Sequence, residues 1–137
     1  AARAIAFEAK RRGAEVLIAN RTKRRAQVLA HELDATCVDL DSLRWSDFDI
    51  AANATPVGMA PSSDASLLPR SLLRNKVVFD AVYNPPVTKL LRDAASVGAT
   101  IIPGTEMYIC QAALQYRIYY GLKPDIGMMR SILRGGG

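Results

Sequence analysis

The sequence predicts an α/β fold built on a doubly wound parallel sheet, and three observations carry that expectation. Short apolar runs of strand length alternate along the chain with longer stretches in which apolar residues recur every three or four positions. The short runs, such as Val16, Leu17, Ile18 and Ala19, are continuously apolar, as in parallel strands covered on both faces. Several of them also run directly into turns rich in Asn, Thr, Pro, Gly or Arg, and in an open α/β sheet ligands bind at the carboxyl ends of the strands.

A helix opens the chain. Ala2, Ile5, Ala6 and Ala9 form its stripe, Lys10, Arg11 and Arg12 complement the dipole of its last turn, and Gly13 stops it. The strand at 16–19 leads into the basic turn Asn20, Arg21, Thr22, Lys23, Arg24 and Arg25. Thr22 is placed to cap a second helix striped by Ala26, Leu29, Ala30 and Leu33. Residues 35–38 read as a short strand. The acidic stretch holding Asp39, Asp41, Asp47 and Asp49 reads as a solvated loop with a helical turn, not as a carboxylate pair for catalysis.

The next strand, 48–53, ends in Ala54, Thr55, Pro56, Val57, Gly58 and Met59. Pro56 fixes φ and Gly58 permits a positive one, so the backbone can bend closely around a flat ligand. Residues 76–82 form a further strand that delivers Asp80 and Tyr83 to the same edge. Pro85 and Pro86 then start a helix whose buried face is Val87, Leu90, Leu91, Ala94 and Ala95, ended by Gly98. A last strand, 99–102, is closed by Pro103 and Gly104. A long helix over 105–120 follows, with the stripe Met107, Gln111, Leu114 and Ile118, and one more helix lies within 122–133 before a frayed glycine end. A glutamine inside an apolar stripe needs a partner, because burying an unpaired amide costs roughly 1–3 kcal/mol. Gln111 therefore either caps a neighbouring backbone group or meets a polar ligand.

Composition narrows the function. The 137 residues are one domain's worth, half of them hydrophobic and 23% charged. The net charge of +5 comes from 18 basic against 13 acidic residues, and eight of the basic ones fall in the first 25 positions. They are accounted for by the basic turn and one helix end, with no aromatic interleaving, so nucleic acid is a poor partner. No segment is apolar for long enough to span a bilayer, which predicts no membrane and an intracellular site, cytoplasmic or in a plastid stroma. Cys37, Cys110 and His31 lack metal-ligand spacing, so no metal is expected; the thiols read as buried and His31 as lying on a helix surface.

The basic turn gives the strongest ligand signal. In a Rossmann-like sheet the second strand usually ends in a carboxylate that accepts from the adenosine ribose, whereas an arginine there accommodates a 2′-phosphate. The turn argues for NADP over NAD. The strand and glycine-rich turn that should precede the first helix are absent, which reads as an N-terminal truncation. The expectation is a partial NADP-binding domain over 1–137, with C-terminal helices over 105–134.

Taken together, the motifs resemble the C-terminal NADP-binding domain of shikimate dehydrogenase, particularly the form fused behind a 3-dehydroquinate dehydratase. They are Asn20-Arg21-Thr22 with Arg25, Asn53 through Met59, Asp80-Ala81-Val82-Tyr83-Asn84-Pro85, and Gly104 with Met107 and Gln111. The first is shared with glutamyl-tRNA reductase and other NADP folds; all four in this order and spacing are specific. The resemblance implies that Arg21 and Arg25 hold the 2′-phosphate, with Asn20 and Thr22 bonding that group or its ribose. Ala54, Thr55 and Val57 would line the dinucleotide groove, and Gly104 and Met107 would approach the nicotinamide. Tyr83 and Gln111 would reach the hydroxyls of shikimate or 3-dehydroshikimate. The implied reaction is reversible reduction of 3-dehydroshikimate by NADPH, in aromatic amino-acid biosynthesis.

The family's lysine-aspartate proton-transfer pair belongs to an N-terminal substrate domain, so no catalytic residue is assigned in this chain. Alone, the 137 residues are expected to be inactive and marginally folded, since the absent first strand would lie at the centre of the sheet. Three other readings share these features: a quinate or dual-specificity dehydrogenase, a glutamyl-tRNA reductase-like enzyme and a non-catalytic nucleotide-sensing module. The second requires neither the Asp80 to Pro85 nor the Gly104 to Gln111 motif.

Overall fold

The computed structural model describes residues 1–135. Its first layer is α1 (Ala2–Arg11), β1 (Leu17–Ile18), α2 (Lys23–Glu32) and β2 (Thr36–Cys37). The two strands are parallel, with Leu17 opposite Thr36 and Ile18 opposite Cys37. Ala6, Ile18, Ala26 and Ala30 form the core here, with Val16, Leu29, Leu33, Ala35 and Cys37 packed around them. Three of the four core residues are alanines, two of them on α2, which packs closely on both strands. The expected two-sided burial of β1 is not met: Ile18 faces the cluster while Leu17 is 37% exposed.

The second layer contains the parallel strands β3 (Ile50–Asn53), β4 (Val77–Asp80) and β5 (Thr100–Pro103), hydrogen-bonded in that order. Asn53, Asp80 and Pro103 are in register, so the three carboxyl ends form one edge. The helix α3 (Lys89–Ser96) packs on β4 and β5, burying Leu90, Leu91 and Ala94 against Leu73 and Val78. Val87 and Ala95, expected on this buried face, are exposed. The helix begins at Lys89 because Thr88 is its N-cap, its Oγ1 accepting from Leu91 N at 3.3 Å; Pro85 and Pro86 lie in the turn before it. Among the described residues β1 and β2 are not hydrogen-bonded to the β3-β4-β5 sheet.

The long helix α4 (Gly104–Tyr120) and then α5 (Ile126–Gly135) complete the chain, linked by Gly121 at φ +66°. The buried residues of α4 are Gly104, Ile109 and Ala113, not the expected stripe: Gln111, Leu114 and Ile118 are exposed and Met107 is half-buried. Apolar side chains surround this helix on all sides, so periodicity alone does not mark the face that packs. Arg130 ties α5 back to the first turn of α4 through Glu106 at 2.7 Å. Of the frayed end expected at 135–137, Gly135 terminates α5 and the last two residues lie outside the described residues.

The acidic connection forms two short 3₁₀ turns, at Leu40–Ser42 and Trp45–Asp47. The second is clamped to the base of the sheet. Trp45 Nε1 donates to the Arg74 carbonyl at 2.9 Å, and the Lys76 ammonium lies 4.1 Å from the Trp45 ring centre and 5.4 Å from that of Phe48. Lys76 is only 6% exposed, so these ring faces supply much of its electrostatic surroundings.

Cys37 is half-buried, but Cys110 is exposed on α4, contrary to the expectation of buried thiols. His31 is exposed in the last turn of α2. Among the described residues no group of three or more His, Cys, Asp or Glu side chains could hold a metal ion, and no helix is long and apolar enough to cross a membrane.

One surface-to-core ion pair predicts an acid response. Asp93 is buried on α3 and accepts from Lys89 and from Arg70 Nε at 2.9 Å. These bonds, that from Lys89 first, hold its carboxyl below the usual value of 3.8. A carboxyl lowered in the folded state stabilises fully above its unfolded value, and that stability is lost as pH falls through the folded value. Denaturant midpoints at pH 5 and pH 2.5 should therefore fall more steeply for the unsubstituted protein than for Asp93→Asn. Parallel acid limbs would show that the pair contributes nothing.

Candidate functional site

The basic turn follows β1 directly and is built by a local bond. Asn20 Oδ1 accepts from Thr22 N at 2.8 Å, closing an Asx turn that sets the start of α2. Thr22 is the N-cap in extended conformation, and its hydroxyl makes no capping bond. The first turn of α2 carries no acidic residue. Lys23 reaches Asp39 at 3.3 Å, but among the described residues Arg21, Arg24 and Arg25 have no carboxylate partner. Three exposed arginines thus lie in or beside the first turn of α2, at the positive end of its dipole. An anion bound at such a turn would relieve the mutual repulsion of the arginines, and a phosphate matches guanidinium geometry.

The β3 end is held from below. Asn53 is 3% exposed; its Nδ2 donates to the Val57 carbonyl at 3.0 Å and to Asp80 Oδ1 at 2.9 Å, while its Oδ1 accepts from Thr55 N at 2.9 Å and Thr55 Oγ1 at 2.8 Å. Both sides of the amide are used to curl residues 53–57 into one shape. The Thr55 hydroxyl is spent on this curl and on Val57 N at 3.3 Å, which leaves the backbone and the half-buried Ala54 and Val57 to face a ligand. Gly58 adopts φ +94°, which strains any other residue, and a Cβ there would be tight, 3.3 Å from Thr88 Cβ.

Asp80 joins these pieces. It is fully buried, and its carboxylate accepts from Asn53 Nδ2, from Val82 N at 3.0 Å and from Thr88 Oγ1 at 2.6 Å. One carboxylate therefore fixes the β3 loop, the end of β4 and the cap of α3. Both of its oxygens accept hydrogen bonds from the protein and it is shut off from solvent, so its part is to position these segments and not to meet a substrate. Thr88 was legible only as a helix-start signal; its bond to Asp80 depends on tertiary placement.

The third part of the edge is the start of α4. Gly104 is buried, and a Cβ there would lie 2.5 Å from the Val82 carbonyl oxygen and 2.7 Å from that of Ala81. The contact of α4 with the end of β4 thus explains this glycine without any ligand. Met107 is half-buried in the first turn. Tyr83, just beyond β4, is 55% exposed and its ring centre lies 5.6 Å from that of Tyr108 on α4. Gln111 is exposed one turn further along, with no protein hydrogen-bond partner among the described residues. Of the two alternatives for this amide, capping of a buried backbone group is removed.

No protein-family model matches the chain. Among curated proteins it is 40% identical over 126 residues to the chloroplastic bifunctional 3-dehydroquinate dehydratase/shikimate dehydrogenase of Arabidopsis thaliana, a match covering 89% of this chain and 21% of that protein. It is 43% identical over 133 residues to the NADP(+) shikimate dehydrogenase of Methanococcoides burtonii, covering 95% of this chain and 49% of that one. Among solved structures, the shikimate 5-dehydrogenase of Thermus thermophilus in complex with NADP(H) and shikimate superposes with a TM-score of 0.85 at 36% identity, over 96% of this chain and 49% of that chain. Apart from the longer bifunctional protein, the chain spans about half the length of these relatives. In sequence and in fold, over nearly its whole length, the chain matches the C-terminal, Rossmann-like domain of shikimate dehydrogenases.

Proposed function

We propose that residues 1–137 are the NADP-binding domain of a shikimate dehydrogenase that interconverts 3-dehydroshikimate and shikimate. The observation that carries this reading is the turn after β1, where exposed arginines, without carboxylate partners among the described residues, flank an Asx-closed helix start. Arg21 and Arg25 hold the 2′-phosphate, and Asn20 and Thr22 bond that group or its ribose. Ala54, Thr55 and Val57 shape the groove for the dinucleotide, while Met107 and the backbone at Gly104 border the nicotinamide. Tyr83 and Gln111 face the substrate hydroxyls, which gives the exposed amide of Gln111 a partner. NADP supplies the hydride acceptor, or NADPH its donor. The residues of this chain bind and orient; none is assigned proton transfer, which falls to the substrate domain in the half of the relatives that the chain does not span.

Among the described residues β1 is hydrogen-bonded only to β2 and β3 only to β4, and a strand that would join them is assigned to the part of the relatives that this chain does not span. The test is reduction of NADP⁺ and NAD⁺ by the full-length polypeptide with shikimate and with quinate. Rapid NADP⁺ reduction with shikimate is the expected result. Preference for quinate would rename the substrate, and no reaction with either acid would overturn the dehydrogenase reading in favour of a nucleotide sensor.

A further inference from the structure

Tyr108 belongs to none of the motifs that point to the cofactor or the substrate, yet it occupies the substrate edge. It lies one turn into α4, is 48% exposed, and its ring is tilted 32° to that of Tyr83 with centres 5.6 Å apart. Neither ring is held by a surrounding core, so each is the other's aromatic support. The spacing is fixed by backbone. Gly104 seats α4 directly on the carbonyls of Ala81 and Val82, one residue before Tyr83, and a larger residue there would displace the helix. Gln111, three positions after Tyr108, projects from a neighbouring part of the same helix surface.

We propose that Tyr108 is a positioning residue for the acid substrate, acting through the ring of Tyr83. The proposal rests on the dehydrogenase reading above. Tyr83 stands on a loop after a strand end, and with more than half of its surface in solvent it would otherwise sample several rotamers. The tilted contact with Tyr108 favours one of them, and ordering Tyr83 before the substrate arrives removes part of the cost of ordering it on binding. The cofactor turn after β1 takes no part in this contact, so the effect is confined to the acid.

The test uses the full-length enzyme carrying Tyr108→Phe, Tyr108→Leu and Tyr108→Ala, each alone and with Tyr83→Ala. Tyr108→Phe keeps the ring and should stay within about two-fold of the unsubstituted enzyme. Tyr108→Leu, which keeps much of the packing, and Tyr108→Ala should each raise the KM for shikimate by about 3- to 12-fold, the range for loss of an aromatic pair. The KM for NADP⁺ should stay unchanged. In the Tyr83→Ala background the Tyr108 substitutions should add less than about two-fold, as a group acting through Tyr83 requires. An unchanged shikimate KM in Tyr108→Ala, an equal loss for NADP⁺, or full effects persisting without Tyr83 would each overturn the proposal while leaving the dehydrogenase reading intact. Absence of shikimate turnover in the unsubstituted enzyme would overturn both.

Discussion

Asp80→Ala is expected to destabilise the protein by about 3–5 kcal/mol, the range for stranding the partners of a buried charge. Three donors lose their acceptor together: the Asn53 amide, the Val82 N–H and the Thr88 hydroxyl. The site is fully buried, so water does not replace the carboxylate without opening the space between β4 and α3. Asp80→Asn keeps one acceptor oxygen but turns an N–H₂ toward a group that donates, so its loss should be intermediate. The measurement is the urea midpoint of the full-length protein at neutral pH, with the slope checked for constancy. A second readout is NADP affinity, which should fall with stability because Asn53 and the 53–57 curl lose their anchor. A change below about 1 kcal/mol for Asp80→Ala would mean that the carboxylate does not hold the three segments together, since even one stranded buried donor costs more than that.

The double substitution Arg21→Ala with Arg25→Ala should weaken NADP binding by about 2–5 kcal/mol, roughly 30- to 5,000-fold, with NAD affinity almost unaltered. The asymmetry is the point of the prediction. Both side chains are exposed and make no ion pair among the described residues, so removing them costs the fold little. Whatever is lost belongs to the ligand. The loss for NADP should shrink as salt rises, because exposed charges are screened over about 8–10 Å at physiological ionic strength. Titration with NADP⁺ and NAD⁺ at two salt concentrations tests both statements. Equal losses for the two cofactors would remove the 2′-phosphate from this turn.

Much of the fold was legible because it depends on local periodicity. The Ala26 and Ala30 face of α2 and the Leu90, Leu91 and Ala94 face of α3 each repeat at helical spacing, and each is the buried face; of the α1 stripe Ala6 is buried, Ile5 and Ala9 are half-buried and Ala2 is exposed. Thr22 stands at the N-cap position that the sequence marks, although its hydroxyl makes no capping bond; the Asx turn at Asn20, a side chain accepting from backbone two residues on, is visible only in the structure. The motifs at Asn53, Asp80 and Gly104 mark the edge where a ligand is proposed to bind.

Other features are set between segments distant in sequence. Asp80 could be read as a chemical group at a strand end; only the meeting of β3, β4 and α3 shows it buried and accepting from three segments. The start of α3 was placed at the prolines, but Thr88 is held both by Leu91 N and by Asp80, and those two hydrogen bonds delay the helix. The orientation of α4 was misread because its apolar residues surround it, leaving no stripe to choose. Backbone contact at Gly104 selects the face that packs, turns Gln111 outward and brings Tyr108 beside Tyr83. The order of elements, much of their packing and the basic turn are written in the chain, since these arise from neighbours a few residues apart. Which polar groups are spent on holding the edge together, and which are left for a ligand, is settled by folding, because it depends on which strand ends and helix starts come within hydrogen-bonding distance.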